Sequence, residues 1–262
     1  MKSLKLALAA GTVLGFAASA NAAMVVGLVD GGTLVMFDTM KPTVARTMKV
    51  TGTGPLLGID VRPSNGMLYG VATDGTVVTI DPATGMAKMV SKLDKMPPAS
   101  PSATAIVDFN PAADKLRFMG MDGTNLRADV DTGKVTTDGT LAFRSEDMHA
   151  GEKPAIAAAA YTNSYGNPAK TAMYDIDATI VALIQQVSPN DGTLAAVGKL
   201  GIEAAPTYAF DVQTNAQGRN TAWLAAGDML YTVDLETGKA TGVGVIGGLP
   251  GALTDIAVMP DA

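Results

Sequence analysis

The chain has 262 residues, a formal net charge of −6 and no cysteine, which excludes disulfides and a thiol-linked lipid anchor. An acidic surface repels the nucleic-acid backbone, and no basic stripe offsets this charge, so nucleic-acid binding is not expected. The one histidine, His149, lies in the loop-like stretch EDMHAGEKP without a nucleophile motif. The sequence therefore indicates neither a zinc site nor a Ser-His-Asp triad.

Residues 1–22 have the features of a secretory signal peptide: two early lysines, an apolar stretch at 6–18, and small residues on both sides of Asn21. We predict cleavage after Ala22 and a periplasmic or secreted location in a bacterium. The apolar stretch is short for a membrane span, and no stop-transfer segment follows it. The mature chain, 23–262, would have 240 residues with 17 basic and 25 acidic side chains, a length typical of one all-β domain.

A repeated unit occupies most of the mature chain, between residues 56 and 248. Each copy contains four short apolar segments separated by turns rich in Gly, Asp, Asn and Pro, a pattern typical of strands. The copies cover residues 56–93, 105–141, 156–201 and 207–248, the third being degraded.

The two ends of the chain complete this repeat. Residues 24–50 match the second, third and fourth strands of the unit, whereas residues 252–260 match only the first. A closed ring whose termini share one blade explains this division, because closure removes exposed strand edges. The sequence therefore predicts an all-β fold, a five-bladed β-propeller with about 48 residues per blade. A six-bladed ring with an unrecognised blade near 141–156 is the alternative, and a barrel or sandwich is less favoured.

Comparing the units separates recurrent aspartates from unique ones. An aspartate that opens a turn caps backbone N–H groups, and the glycine after it accepts a positive φ. On this basis we assign to turns Asp38, Asp74, Asp81, Asp122, Asp131 and Asp234.

One unit carries polar residues that its sister units lack. These are Asn125, Arg127 and Asp129, and alternation along a strand would place Arg127, Asp129 and Asp131 on one face. We favour a local Arg–Asp ion pair over a cluster that contacts a ligand, because such ion pairs are common.

The first strand of each unit is expected to line the central channel, where polar side chains can converge. The residues at these positions are Asp60, Arg62, Asp108, Asn110, Tyr161, Asn163, Asp211, Gln213 and Asp255. Carboxylates such as Asp60, Asp108 and Asp211 could hold Ca²⁺, which prefers oxygen ligands. Hydrogen bonding between neighbouring blades is the interpretation that we favour, because no calcium-loop spacing is present.

Five motifs carry a resemblance to a known family: GIDVRPSNGMLYG, VDFNPAADKLRF, GTNLRADVDTG, AAAAYTN and SPNDGTLAAVGKLG. In this order they resemble the bacterial domain-of-unknown-function 4394 family, over nearly the whole mature chain. The resemblance implies a secreted or surface protein and brings no known activity. The family pattern covers Asp60, Arg62, Asn65, Asp108, Asn110, Arg117, Asn125, Arg127, Tyr161 and Asn163.

Our leading hypothesis is a module that binds a small molecule, a glycan or a protein, with no catalytic residue. The alternatives are a metal-dependent hydrolase or lactonase, and a structural or adhesion protein of the cell envelope. Ca²⁺ is the one cofactor considered. The candidate ligand-binding residues are Asp60, Arg62, Asp108, Asn110, Arg117, Asn125, Arg127, Asp129, Tyr161 and Asn163.

Overall fold

A computed structural model describes residues 22–98 and 105–260. The predicted signal peptide lies outside these residues except for Ala22. Every regular element in the described part of the chain is a β-strand, and no helix there is long and apolar enough to cross a membrane.

The strands fall into five groups along the chain. The first group is β1 (Met24–Val29), β2 (Thr33–Asp38) and β3 (Lys41–Lys49), and the second is β4 (Leu56–Arg62), β5 (Met67–Ala72), β6 (Thr76–Ile80) and β7 (Ala87–Lys92). The third is β8 (Ile106–Asn110), β9 (Lys115–Met119), β10 (Asn125–Ala128) and β11 (Val135–Thr137). The fourth is β12 (Ala142–Phe143), β13 (Ile156–Tyr161), β14 (Met173–Asp177), β15 (Ala182–Ser188) and β16 (Thr193–Lys199). The last is β17 (Tyr208–Thr214), β18 (Asn220–Ala226), β19 (Met229–Val233), β20 (Ala240–Val245) and, alone at the end, β21 (Leu253–Val258).

The groups form the five blades of a β-propeller, except that β21 joins the first group. This arrangement confirms the predicted fold. Blades 2, 3 and 5 follow chain order, blade 4 has the order β13-β14-β15-β16-β12, and blade 1 has the order β21-β1-β2-β3. Strand β21 pairs antiparallel with β1, with Val25 opposite Val258, so the two ends of the chain share a blade as the repeat predicted. This pairing joins the termini and closes the ring.

The segment near 141–156 does not form a sixth blade. Ala142 and Phe143 instead add a short parallel strand, β12, to the outer edge of β16 in blade 4. The following residues form turns before β13 begins. This extra strand covers an edge that would otherwise stay exposed.

The hydrophobic core of the described residues lies between the blades as five clusters, one at each interface. Strand β1 shows why: Val26 and Leu28 pack against blade 2, whereas Val25 and Val29 pack against blade 5. Successive side chains of a strand point to opposite faces, and here both faces are covered. The inner strands are therefore apolar at nearly every position, and a polar residue within them is conspicuous.

The outer turns follow one pattern, which corrects the assignment of Asp131. Asp81 and Asp234 each accept hydrogen bonds from the backbone N–H groups two and three residues further on or from a nearby threonine hydroxyl. In blade 3 this capping residue is Asp129, which accepts from the N–H groups of Asp131 and Thr132. The shared spacing is Asp-x-x-x-Gly, which ends at Gly133 in blade 3.

Candidate functional site

The first strands of the blades, β4, β8, β13, β17 and β21, lie side by side around the central channel. Three of them bring buried aspartates together: Asp60 on β4, Asp108 on β8 and Asp211 on β17. Each offers a carboxylate oxygen, and these three oxygens lie within 4.8 Å of one another. We call Asp60, Asp108 and Asp211 the channel triad. With Tyr161 and Tyr165 they line a cavity of about 210 Å³.

Hydrogen bonds between blades hold these carboxylates in place, as the favoured sequence interpretation expected. In each case an aspartate of one inner strand accepts from a backbone N–H of the next inner strand around the ring. The acceptor–donor pairs are Asp255 Oδ2 with Ile59 (2.8 Å), Asp60 Oδ2 with Phe109 (2.7 Å), Asp108 Oδ1 with Tyr161 (2.9 Å) and Asp211 Oδ2 with Val258 (2.6 Å).

One oxygen of the channel triad is not used by these contacts. Both oxygens of Asp60 and both of Asp211 accept a backbone N–H. Asp108 Oδ1 accepts from Tyr161, whereas Asp108 Oδ2 has no hydrogen-bond donor among the described residues. This free oxygen belongs to a side chain that lines the cavity.

The electrostatic environment of the triad is unfavourable for negative charge. Burial, followed by the repulsion of neighbouring carboxylates, raises the pKa of Asp60 and of Asp108 well above their usual range. Burial raises the pKa of Asp211 to about 6 and that of the adjacent Asp255 well above its usual range. No ion pair in the described part of the chain involves these four side chains. A cation would supply the missing charge.

Arg117, Asn125 and Arg127 lie away from the channel triad, in a network that joins blades 3 and 4. Arg117 is buried and donates to Asp138 Oδ2 (2.6 Å). It also donates to Asn125 Oδ1 (2.8 Å), Asn190 Oδ1 (3.0 Å) and Tyr161 Oη (3.1 Å). Asn125 in turn donates to the carbonyl groups of Gly139 and Pro189, and Arg127 donates to Asp138. These polar groups satisfy one another.

Arg62 performs the same role between blades 2 and 3. Its guanidinium group donates to both carboxylate oxygens of Asp114 and to both of Asp131. The hydrogen bonds from Arg62 lower the pKa of Asp114, and Asp114 and Asp131 raise that of Arg62. The Arg62 side chain also lies near the rings of Tyr69 and Phe109. Asp131 is therefore the partner of an arginine in blade 2.

The predicted common face of Arg127, Asp129 and Asp131 is wrong, because β10 ends at Ala128. Arg127 is paired with Asp138, whereas Asp129 is paired with Lys115 (2.6 Å). That lysine is the main reason that the pKa of Asp129 is lowered to about 2.

The two remaining predicted site residues, Asn110 and Asn163, follow inner strands. Asn110 caps the turn before β9 by accepting from Ala112 and Ala113. Asn163 has a positive φ of 62° and donates to the carbonyl of Lys170. Of the ten predicted residues, Asp60, Asp108 and Tyr161 thus line the channel cavity.

A further buried acid, outside the channel, lies within blade 4, where sequence reasoning did not look. Asp175 on β14 is fully buried, and both of its oxygens accept from Gln186 Nε2, at 3.1 and 2.9 Å. Gln186 Oε1 is buried, and no hydrogen-bond donor among the described residues reaches it. Burial raises the pKa of Asp175 to about 8. The sequence feature that could have revealed this residue is an aspartate inside the strand segment MYDID.

Two solved structures are similar to this chain, and the first of them shares its fold. A protein of unknown function from Bacteroides thetaiotaomicron is 16% identical, with a TM-score of 0.53, over 92% of this chain and 65% of that one. A protein of unknown function from Bacteroides caccae is 10% identical, with a TM-score of 0.45, over 84% of this chain and 72% of that one. This chain thus spans about two thirds of the length of the first relative. No curated protein sequence matches it.

The sequence itself identifies the family. The family model described as a domain of unknown function, DUF4394, matches residues 33–257, from β2 of blade 1 into β21. The match therefore includes strands of all five blades and every member of the channel triad. The chain belongs to the DUF4394 family.

Proposed function

We propose that this protein is an extracytoplasmic binding module whose channel triad holds Ca²⁺ and whose ligand binds on the cavity side of that ion. The observation that carries the proposal is the meeting of Asp60, Asp108 and Asp211 from three different blades beside one cavity. The predicted signal peptide at 1–22, with a single propeller domain at 23–262, supports the location outside the cytoplasm.

The spacing of the triad suits a calcium ion. Calcium binds oxygen atoms at about 2.3–2.6 Å, so ligands on opposite sides of one ion lie up to roughly 5 Å apart. The three triad oxygens are within 4.8 Å of one another. Calcium accepts 6–8 oxygen ligands in flexible geometry, and three of them can come from carboxylates that backbone N–H groups already hold in place. Three carboxylates leave positions open toward the cavity.

The same arrangement would serve the alternative function, a metal-dependent hydrolase. A cation in the channel polarises a carbonyl oxygen and lowers the pKa of a bound water. Calcium-dependent hydrolysis of a lactone or ester, lost in the Asp108→Asn variant, would favour the enzyme over a module that only binds.

The substitution Asp108→Asn tests the calcium site while keeping the contact between blades. An asparagine Oδ1 still accepts the N–H of Tyr161, so the ring remains closed, but one negative charge is lost. We expect calcium at about 100 times its Kd to stabilise the wild type by about 2.7 kcal/mol. That corresponds to a rise in Tm of roughly 5–10 °C for a chain of this size. In Asp108→Asn the rise should be absent.

Asp255→Asn is the matched control. Asp255 makes the same kind of contact between blades, to Ile59, but is not one of the three residues of the channel triad. Its variant should keep most of the calcium-dependent rise in Tm. Equal loss in both variants, or no rise in the wild type, would refute the calcium site.

A further inference from the structure

A groove beside the channel cavity exposes methionine side chains to solvent. Met67 and Met86 are 47% and 64% exposed. With Met259 they line a groove of about 490 Å³ that runs along the boundary of blades 1 and 2. We call this surface the methionine groove. Methionine is flexible and polarisable, so such a surface adapts to apolar ligands of different shape.

The methionine groove and the channel cavity share a wall. Gly66 and Met259 line both. Gly66 lies in the turn after β4 with a φ of +69°, and no atom lies within 4 Å of the place where its β-carbon would stand. Because Gly66 lines both pockets, its missing side chain leaves their shared rim uncovered. A side chain at this position would project over that rim.

We propose that the ligand of the channel site is a soluble amphiphile with a carboxylate head and an unbranched apolar chain. The carboxylate completes the coordination of the channel cation, and the chain passes Gly66 into the methionine groove. This inference rests on the proposed calcium site, because without the cation the channel triad offers no positive charge to a carboxylate head.

The dimensions and the charge of the protein favour a free molecule over a lipid in a membrane. One methylene unit occupies about 30 Å³, roughly the volume of a water molecule in the liquid. A chain of about nine such units would therefore fill roughly half of the groove. The whole chain carries a net charge of −6, which repels anionic bilayers.

Calorimetric titration with butanoate, hexanoate, octanoate and decanoate tests the inference, with protein saturated by calcium. Each methylene buried in the groove should raise affinity about fourfold. Acetate should bind weakly, and EDTA should abolish binding of every member of the series. A separate titration with calcium alone reports on the proposed function independently of the carboxylates.

Substitutions in the groove separate the chain from the head. Met67→Glu and Met86→Glu should flatten the dependence on chain length and leave calcium affinity unchanged. Gly66→Asn should also flatten the dependence on chain length, because its side chain would stand between the cavity and the groove. The variant should still fold, because asparagine tolerates a positive φ. Met40→Glu is the matched control, since Met40 is 59% exposed and does not line the groove.

Three results would overturn the inference. If calcium binds but affinity does not depend on chain length, the groove does not hold the chain and the calcium site stands alone. If decanoate binds equally well in EDTA, the cation does not hold the head. If calcium itself does not bind, the proposed function fails and the inference fails with it.

Discussion

Replacing Arg117 by alanine should lower the free energy of unfolding by about 3–5 kcal/mol, the usual consequence of removing one partner of a buried ion pair. The side chain of Asp138 is 4% exposed and would keep its charge with one arginine instead of two. Asn125, Asn190 and Tyr161 would also lose a donor between blades 3 and 4. Urea unfolding followed by circular dichroism measures this effect.

Arg127→Ala provides the comparison, because both arginines bind the same carboxylate. The Arg127 side chain is 31% exposed, and Asp138 would remain paired with Arg117. We expect a loss of only about 1 kcal/mol, typical of partly exposed ion pairs. Equal losses in the two variants would show that burial of Arg117 does not matter to the blade interface.

Replacing Asp175 by asparagine should stabilise the protein at pH 8, on the order of 4 kcal/mol. The unfolded carboxyl group releases its proton near pH 4, whereas the folded one retains it to about pH 8. The folded chain therefore binds more protons over this interval, and wild-type stability falls as pH rises from 4 to 8. Asparagine has no such proton to lose. Its amide oxygen can still accept from Gln186 Nε2, which donates to Asp175 in the wild type.

Denaturant unfolding of wild type and Asp175→Asn at a series of pH values checks this prediction. The difference in stability should be small at pH 4, grow toward pH 8 and remain constant above it. If the free energies of unfolding of the two proteins differ by the same amount from pH 4 to pH 8, the folded Asp175 is not protonated in this range.

The sequence was sufficient to predict the ring and the division of blade 1. Those properties follow from local patterns: four strand-like segments per unit, turn residues between them, and a first strand displaced to the end of the chain. The residues Asp60, Asp108 and Asp211 were also recognised as candidate calcium ligands, because the first strand of each unit was expected to line the central channel.

The partners of the arginines could not be predicted from the sequence. Arg62 reaches Asp114 and Asp131 in the next blade, and Arg117 reaches Asn190 in the blade after its own. Such pairs depend on the stagger between sheets, which the packing of the clusters between blades determines. A shift of two positions in aligning one turn was also enough to exchange the roles of Asp129 and Asp131.

The central claim is that the channel triad binds one calcium ion. Equilibrium dialysis against millimolar calcium, followed by metal analysis, measures this directly on wild type and Asp108→Asn. We predict one calcium ion per wild-type chain and none in the variant, with Asp255→Asn retaining its ion. Wild-type protein without stoichiometric calcium, or a variant that binds as well as the wild type, would contradict the claim.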